Sequence, residues 1–140
     1  MKTFIATLLV FFLSLPMAHA GDVDGHALSC KLISSSGPQT SRFIFENGYA
    51  YEAFVTKELP LRIQNTDSRK YTSTVDTIEW PVRIYAYVLD RKNLTMERAF
   101  KGDNTNRSHW QCEVKTPAEI TGTLNQILER LKKSMKDNKL

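Results

Sequence analysis

The stretches LSCKL at residues 28–32 and WQCEV at residues 110–114 decide the fold, because they hold the two cysteines of the chain. In both stretches apolar and polar residues alternate. A period of two places Cys30 and Cys112 on the inward faces of two β-strands. In an oxidising compartment two cysteines allow one pairing, a disulfide that ties the first strand to the last. A pair of free, reactive thiols is the alternative.

Between the cysteines, short apolar stretches are separated by turn residues. Asn47-Gly48 is the clearest turn, because a type I′ hairpin needs positive φ at both central residues. At Trp80-Pro81 we expect strand pairing to stop, since proline donates no hydrogen bond to a ladder. We expect a polar loop over residues 102–106. About eight strands are predicted, over residues 27–33, 42–46, 49–55, 61–66, 70–76, 84–89, 94–100 and 109–114.

Strands at this short, regular spacing predict a mainly β fold, an antiparallel meander that forms a closed or half-open barrel. The predicted disulfide supports closure, since the first and last strands of a meander become neighbours only when the sheet meets itself. A sandwich of two sheets is the alternative. The barrel domain is predicted to cover residues 27–115.

The hydrophobic period changes after the last cysteine, which predicts a C-terminal helix and basic tail over residues 116–140. Thr116-Pro117-Ala118-Glu119 has the spacing of a capping box, with proline at the first helical position. An amphipathic helix over about residues 117–136 should therefore pack on the side or mouth of the barrel. Its apolar stripe comprises Ile120, Leu124, Ile127, Leu128, Leu131 and Met135.

Residues 1–20 have the pattern of a signal peptide. Lys2 supplies the positive start, residues 4–15 are almost wholly apolar, and Ala18-His19-Ala20 gives the cleavage pattern. The apolar run is too short to cross a hydrocarbon core of ~30 Å, although an uncleaved anchor is the alternative. We expect a periplasmic or secreted protein in which residues 21–26 form a solvated polar leader.

Charge and motif content favour binding over catalysis. Residues 21–128 contain equal numbers of acidic and basic side chains, so the net charge of +4 does not mark a nucleic-acid surface. His26 and His109 stand in no hydrolase motif, and the chain offers too few ligands for a zinc site. We therefore expect no enzyme activity, metal or cofactor, and no membrane contact by the basic helix end.

Aromatic residues on the predicted strands are the most suggestive group. Several strands are apolar on both faces, so one face must fill the barrel while the other lies under the helix or meets a partner. These side chains could line a ligand pocket or a binding surface, or they could form only the core. The candidates are Phe43, Phe45, Tyr49, Tyr51, Tyr85 and Tyr87.

Residues 28–114 contain Cys30, Phe43-Ile44-Phe45, Tyr71, Ile78-Glu79-Trp80, Leu89-Asp90-Arg91 with Leu94, and Cys112-Glu113-Val114. In these residues the chain resembles small exported proteobacterial proteins of unknown function. The resemblance implies a periplasmic β-barrel.

A looser similarity is to the membrane-bound and periplasmic inhibitors of C-type lysozyme, whose inhibitory loop carries serine-glycine followed closely by tyrosine. Ser68-Arg69-Lys70-Tyr71, with Trp80 following, lies in a comparable place. The glycine of that loop is missing here, and Pro81-Val82 occupies the region of a later lysine-glycine pair.

These observations predict an exported, non-catalytic binding protein that carries a small apolar ligand in the barrel. The alternative is a protein-binding inhibitor of a secreted enzyme such as lysozyme, acting through Ser68, Arg69, Lys70, Tyr71 and Trp80.

Overall fold

A computed structural model describes residues 23–33 and 39–137 of the chain. The predicted signal peptide, residues 21–22 of the leader, the loop over residues 34–38 and the last three residues lie outside the described part. The elements are β1 Ala27–Leu32, β2 Thr40–Glu46, β3 Tyr49–Val55, β4 Ile63–Asn65, β5 Arg69–Lys70, β6 Thr72–Ser73, β7 Thr77–Val82, β8 Tyr85–Asp90, β9 Thr95–Phe100, β10 Asp103–Lys115 and α1 Pro117–Asp137.

The strands form an antiparallel meander that curves into a half-open barrel. Their order is β4-β3-β2-β1-β10-β9-β8-β7-β6, so the first and last strands of the chain pair in the middle of the sheet. Short β5 pairs with β3, while short β6 pairs with β7 on the far side of the sheet. Only Tyr71 separates these two strands, so residues 69–73 link both ends of the sheet. The mainly β prediction, with a half-open barrel and a C-terminal helix, is confirmed.

A disulfide joins the middle of the sheet as predicted. Cys30 lies directly opposite Cys112 in the β1–β10 register, and their Cα atoms are 4.0 Å apart. Both cysteines are buried, so the bond belongs to the interior of the barrel. It closes a loop with a sequence separation of 82.

The expected interruption at Trp80-Pro81 is wrong, because both residues lie inside β7. Trp80 pairs with Tyr87, and Pro81 pairs with Ala86 of β8. On the other side of β7, pairing with β6 involves only Ile78 and Glu79. Pro81 therefore occupies an edge position, where a missing N–H breaks no ladder.

Two further boundaries differ from the prediction. The expected loop over residues 102–106 belongs largely to β10, which begins at Asp103 and is irregular between Asp103 and Arg107. The predicted strands over 61–66 and 70–76 are broken into the short strands β4, β5 and β6. Short strands with irregular pairing let the chain turn at the open side of the barrel.

The leader packs against the barrel from residue 23 onward, with Val23 buried and Gly25 and His26 exposed, which corrects the expectation of a wholly solvated segment. Val23 is buried, and the Asp24 carboxylate accepts hydrogen bonds from the Gly48 amide at 3.0 Å and the Tyr71 hydroxyl at 2.9 Å. The Gly25 amide donates to the Phe45 carbonyl at 2.9 Å. These bonds hold residues 23–26 across one end of the barrel.

The tight β2–β3 turn at Asn47-Gly48 is present as predicted. The φ values of these residues are 54° and 77°, the conformation that favours Asn-Gly. The Asp24 carboxylate described above binds the amide of this turn, so the hairpin also anchors residues 23–26, called here the N-terminal segment because it is the first described part of the chain.

Helix α1 begins with the predicted capping box and covers the outer face of the sheet. The Thr116 amide donates to a Glu119 carboxylate oxygen at 2.7 Å, and the Glu119 amide donates to the Thr116 hydroxyl at 3.2 Å. The first of these bonds, donated by the Thr116 amide to the carboxylate, is the main reason that the pKa of Glu119 lies below its ordinary value. Ile120 and Leu124 are buried against an outer apolar cluster that includes Ala27, Ile44 and Ala53. Among the described residues, no helix has the length and apolar character needed to cross a membrane.

Candidate functional site

The middle of the barrel is filled by aromatic side chains. Trp80 stacks on Tyr87 with ring centroids 5.5 Å apart, and the Phe43 and Phe45 rings each lie edge-on to Trp80 at 5.2 Å. Phe45 also meets Tyr71 at 5.3 Å. These five side chains are at most 3 % exposed. Space for a ligand therefore remains at the ends of the barrel and not in its middle.

An apolar cavity of about 280 Å³ opens at the end that the N-terminal segment crosses; we call it the apolar end pocket. Seven aliphatic or aromatic side chains line it, contributed by strands that are far apart in sequence. They are Val23, Leu28, Phe45, Ile78, Leu89, Leu94 and Val114.

Two basic side chains complete the wall of the apolar end pocket. His26 lies on the N-terminal segment and is exposed. Arg91 follows β8, where its amide donates to the Asp76 carbonyl and its guanidinium donates to the Thr74 carbonyl at 2.7 Å. The pocket thus has an apolar lining with a few polar groups, as small-molecule sites generally do.

The six predicted aromatic residues do not form one site. Phe43, Phe45 and Tyr87 are buried in the barrel, and Phe45 alone of the six lines the apolar end pocket. Tyr51 packs beside the cluster under α1, and Tyr49 is 39 % exposed. Tyr85 lines a cavity at the opposite end, together with Tyr87.

The structure also divides the predicted partner loop. Ser68, Arg69 and Lys70 are exposed, and the last two form β5. Tyr71 and Trp80 are each 2 % exposed and pack inside the barrel, so they contribute to the core and present no surface to a partner.

Comparison with known proteins identifies no relative. No protein-family model, no curated protein and no solved structure matches this chain.

The residues of the apolar end pocket were mostly missed by sequence reasoning. Val23 and His26 lie in the segment predicted to be solvated, Arg91 lies between two predicted strands, and Leu94 begins the second of them. The alternation around Leu28 and Val114 did place those side chains inward, but it could not show that they meet Ile78 and Leu89. Among the described residues, no group of three or more histidine, cysteine or carboxylate side chains is arranged to hold a metal ion.

The opposite end of the barrel contains a second cavity of about 250 Å³, the charged end pocket. Arg98 lies in its wall, with the guanidinium carbon 4.6 Å from the centre of the Tyr85 ring and 5.2 Å from that of Trp110. Burial raises the pKa of the Tyr87 hydroxyl to about 12; the Glu52 carboxylate adds to the rise and Arg98 opposes it.

Stability should fall in alkaline solution because of Tyr87. An unfolded tyrosine ionises near pH 10, so between pH 10 and about pH 12 the unfolded chain releases a proton that the folded protein keeps. The contribution of Tyr87 is complete below pH 10, and roughly 2–3 kcal/mol of it should be lost as the pH rises to 12.

Two variants test whether Tyr87 causes this loss of stability. The urea midpoint of each is measured at pH 10 and at about pH 12 and compared with that of the parent protein. Tyr87→Phe should reduce the difference between the two midpoints, whereas Tyr49→Phe, at an exposed tyrosine, should leave it as in the parent protein. An unchanged difference in Tyr87→Phe would show that other groups cause the alkaline loss.

Proposed function

We propose that this chain is an exported, non-catalytic binding protein that takes a small apolar molecule in the apolar end pocket. The observation that carries the proposal is that pocket itself, an apolar cavity of about 280 Å³ beside an otherwise tightly packed interior. Ligand pockets commonly measure about 300–1,000 Å³, so the volume favours a small molecule.

The lining supplies the expected source of affinity. Transfer of a methylene group from water into an apolar site contributes about 0.8 kcal/mol. Leu28, Phe45, Ile78 and Leu89 belong to the packed core and offer a preformed wall, so little side-chain ordering opposes binding. Arg91 and His26 favour a ligand with one polar atom directed toward them.

The Cys30–Cys112 disulfide supports export to an oxidising compartment. A buried disulfide between β1 and β10 is typical of secreted and periplasmic proteins. Residues 1–20 add the pattern of a signal peptide. Together these features support a periplasmic or secreted location.

Binding is favoured over catalysis by the surroundings of the two histidines that lie outside the predicted signal peptide. His26 and His109 are both exposed, and in the part of the chain that the structure describes neither side chain is hydrogen-bonded to a serine or a carboxylate. A histidine that serves as a general base is ordinarily oriented by such a partner.

Straight-chain alcohols from butanol to decanol provide a direct test. Each added methylene should strengthen binding about fourfold until the pocket is full, after which affinity should stop rising. Isothermal titration calorimetry of protein exported to and purified from the periplasm of an expression host measures this series. No saturable heat with any member would contradict the proposal.

Val114→Trp should abolish binding of the alcohols. Val114 is 51 % exposed at the pocket wall, so an indole there can cover the opening without entering the core. The matched control is Val88→Trp, since Val88 is 37 % exposed on the outer face of β8 and does not line the pocket. If both variants bind like the parent protein, the site has been misplaced.

A second candidate function is inhibition of a secreted enzyme such as lysozyme. This function is supported by one short segment, in which Ser68, Arg69 and Lys70 are exposed side by side. Added in excess, the protein should then abolish lysozyme activity at a one-to-one ratio, and a double Arg69→Ala, Lys70→Ala variant should not. Unchanged lysozyme turnover at excess protein would exclude this function.

A further inference from the structure

We propose that the charged end pocket is a second binding site, for a small zwitterion that carries an ammonium group, a carboxylate and an apolar side chain, such as a free amino acid. The two end pockets share no lining residue, and the aromatic core lies between them. The charged end pocket is therefore separate from the site of the proposed function.

Opposite charges face the charged end pocket from different strands, and the exposed Arg83 of the β7–β8 turn adds a solvated cation to its wall. Glu52 of β3 lies directly opposite Phe43, and Arg98 of β9 lies directly opposite Tyr87. Because directly opposed residues in an antiparallel pair project from the same face, both charged side chains share the inward face of those buried rings. The Phe43 and Tyr87 rings are in contact, with centroids 4.9 Å apart.

Arg98 is held in one orientation by its neighbours. Its Nε donates to the Ser108 hydroxyl at 3.1 Å, and the guanidinium lies over the Tyr85 and Trp110 rings. Rings that support a guanidinium in this way keep its remaining N–H donors in a fixed plane. A planar, oriented guanidinium is suited to bind a carboxylate through two parallel hydrogen bonds.

Glu52 supplies the complementary charge. Its amide donates to the Thr66 hydroxyl at 2.9 Å and its carbonyl accepts from the Thr66 amide, so the backbone at Glu52 is well anchored. Within the described residues, the Glu52 carboxylate accepts no hydrogen bond. Glu52 and Arg98 do not form an ion pair with each other there. A half-buried carboxylate in this position favours an ammonium group from a ligand.

The rest of the cavity selects the class of ligand. Phe54, Val82 and Tyr85 provide apolar contact area between the two charges. A ligand with only one charge would leave either Glu52 or Arg98 partly desolvated and unpaired, which costs binding free energy. A zwitterion with an aromatic or aliphatic side chain satisfies both charged walls and the apolar surface.

The test compares three probes that differ only in their charged groups: L-phenylalanine, phenethylamine and hydrocinnamate. Binding is followed by NMR through the signals of the Arg98 Nε–H, in the pocket wall, and of the Trp110 indole N–H, beside Arg98. We expect L-phenylalanine to shift both signals saturably and to bind about tenfold more tightly than either singly charged probe. Equal affinities for the three probes, or no saturable shift with L-phenylalanine, would overturn the proposal.

Two variants locate the ammonium site. Glu52→Gln should weaken L-phenylalanine about tenfold and should not weaken hydrocinnamate, which has no ammonium group to pair with Glu52. Glu79→Gln removes the same charge from an exposed position on β7 and should change neither affinity. Equal weakening by both variants would show a general charge effect and contradict the assignment. If Glu52→Gln does not fold, the three-probe comparison on the parent protein decides the proposal alone.

Discussion

Replacing Cys30 and Cys112 together with alanine is expected to lower the free energy of unfolding by about 4 kcal/mol. The bond closes a loop with a sequence separation of 82, and in the chain-entropy description so long a loop strongly restricts the unfolded state. Both cysteines are also buried at the pairing of β1 with β10, so removal leaves a small cavity between the strands that join the two halves of the sheet.

Urea denaturation with and without reductant measures this effect. The parent protein should show a much lower midpoint once it is reduced, close to that of the double variant. The double variant should give the same midpoint in both conditions. A parent midpoint that does not respond to complete reduction would show that the covalent link contributes little to stability.

Trp80→Ala is expected to destabilise the barrel by about 3–5 kcal/mol. Trp80 is 2 % exposed and meets the Phe43, Phe45 and Tyr87 rings, so truncation removes the centre of the aromatic cluster. Part of the cost is the lost transfer free energy of the indole, and the rest is the cavity that rigid neighbours cannot fill.

The control for this variant is Ile84→Ala, at an apolar residue that is 53 % exposed in the turn between β7 and β8. That change should alter the urea midpoint little, because Ile84 buries less surface area on folding than Trp80 does. If Trp80→Ala lowers the free energy of unfolding no more than Ile84→Ala does, the interior is not packed around the indole.

Much of the fold could be predicted, because it depends on patterns and interactions among residues that are close in sequence. The alternation around Cys30 and Cys112 predicts inward cysteines on paired strands, because side chains on a strand project to alternate faces. Asn47-Gly48 predicts a tight hairpin, and Thr116 with Glu119 predicts the start of α1, because each signal acts within a few residues. These features are all present in the structure.

Features that depend on distant parts of the chain could not be predicted in the same way. Pro81 is accepted in β7 only because β6 ends its pairing before reaching it, and the length of β6 is not visible near Pro81. Asp24 is fixed by Gly48 and Tyr71, which are 24 and 47 residues away. A short polar segment at the N-terminus gives no sign of such partners.

The candidate sites were the least predictable part for the same reason. The apolar end pocket collects residues from the N-terminal segment and from β1, β2, β7, β8 and β10. Aromatic content alone suggested a pocket, but most of those rings fill the core. Glu52 and Arg98 are ordinary charged residues in sequence, and only the strand register shows that they face one cavity.

The most direct test of the proposed function is to locate a bound alcohol by intermolecular nuclear Overhauser effects. With octanol in the protein sample, we predict contacts from the octanol methyl group to the methyl groups of Leu28, Ile78 and Leu89. Contacts only to residues outside the apolar end pocket, such as Val88, or no contacts at saturating octanol, would contradict binding in the apolar end pocket.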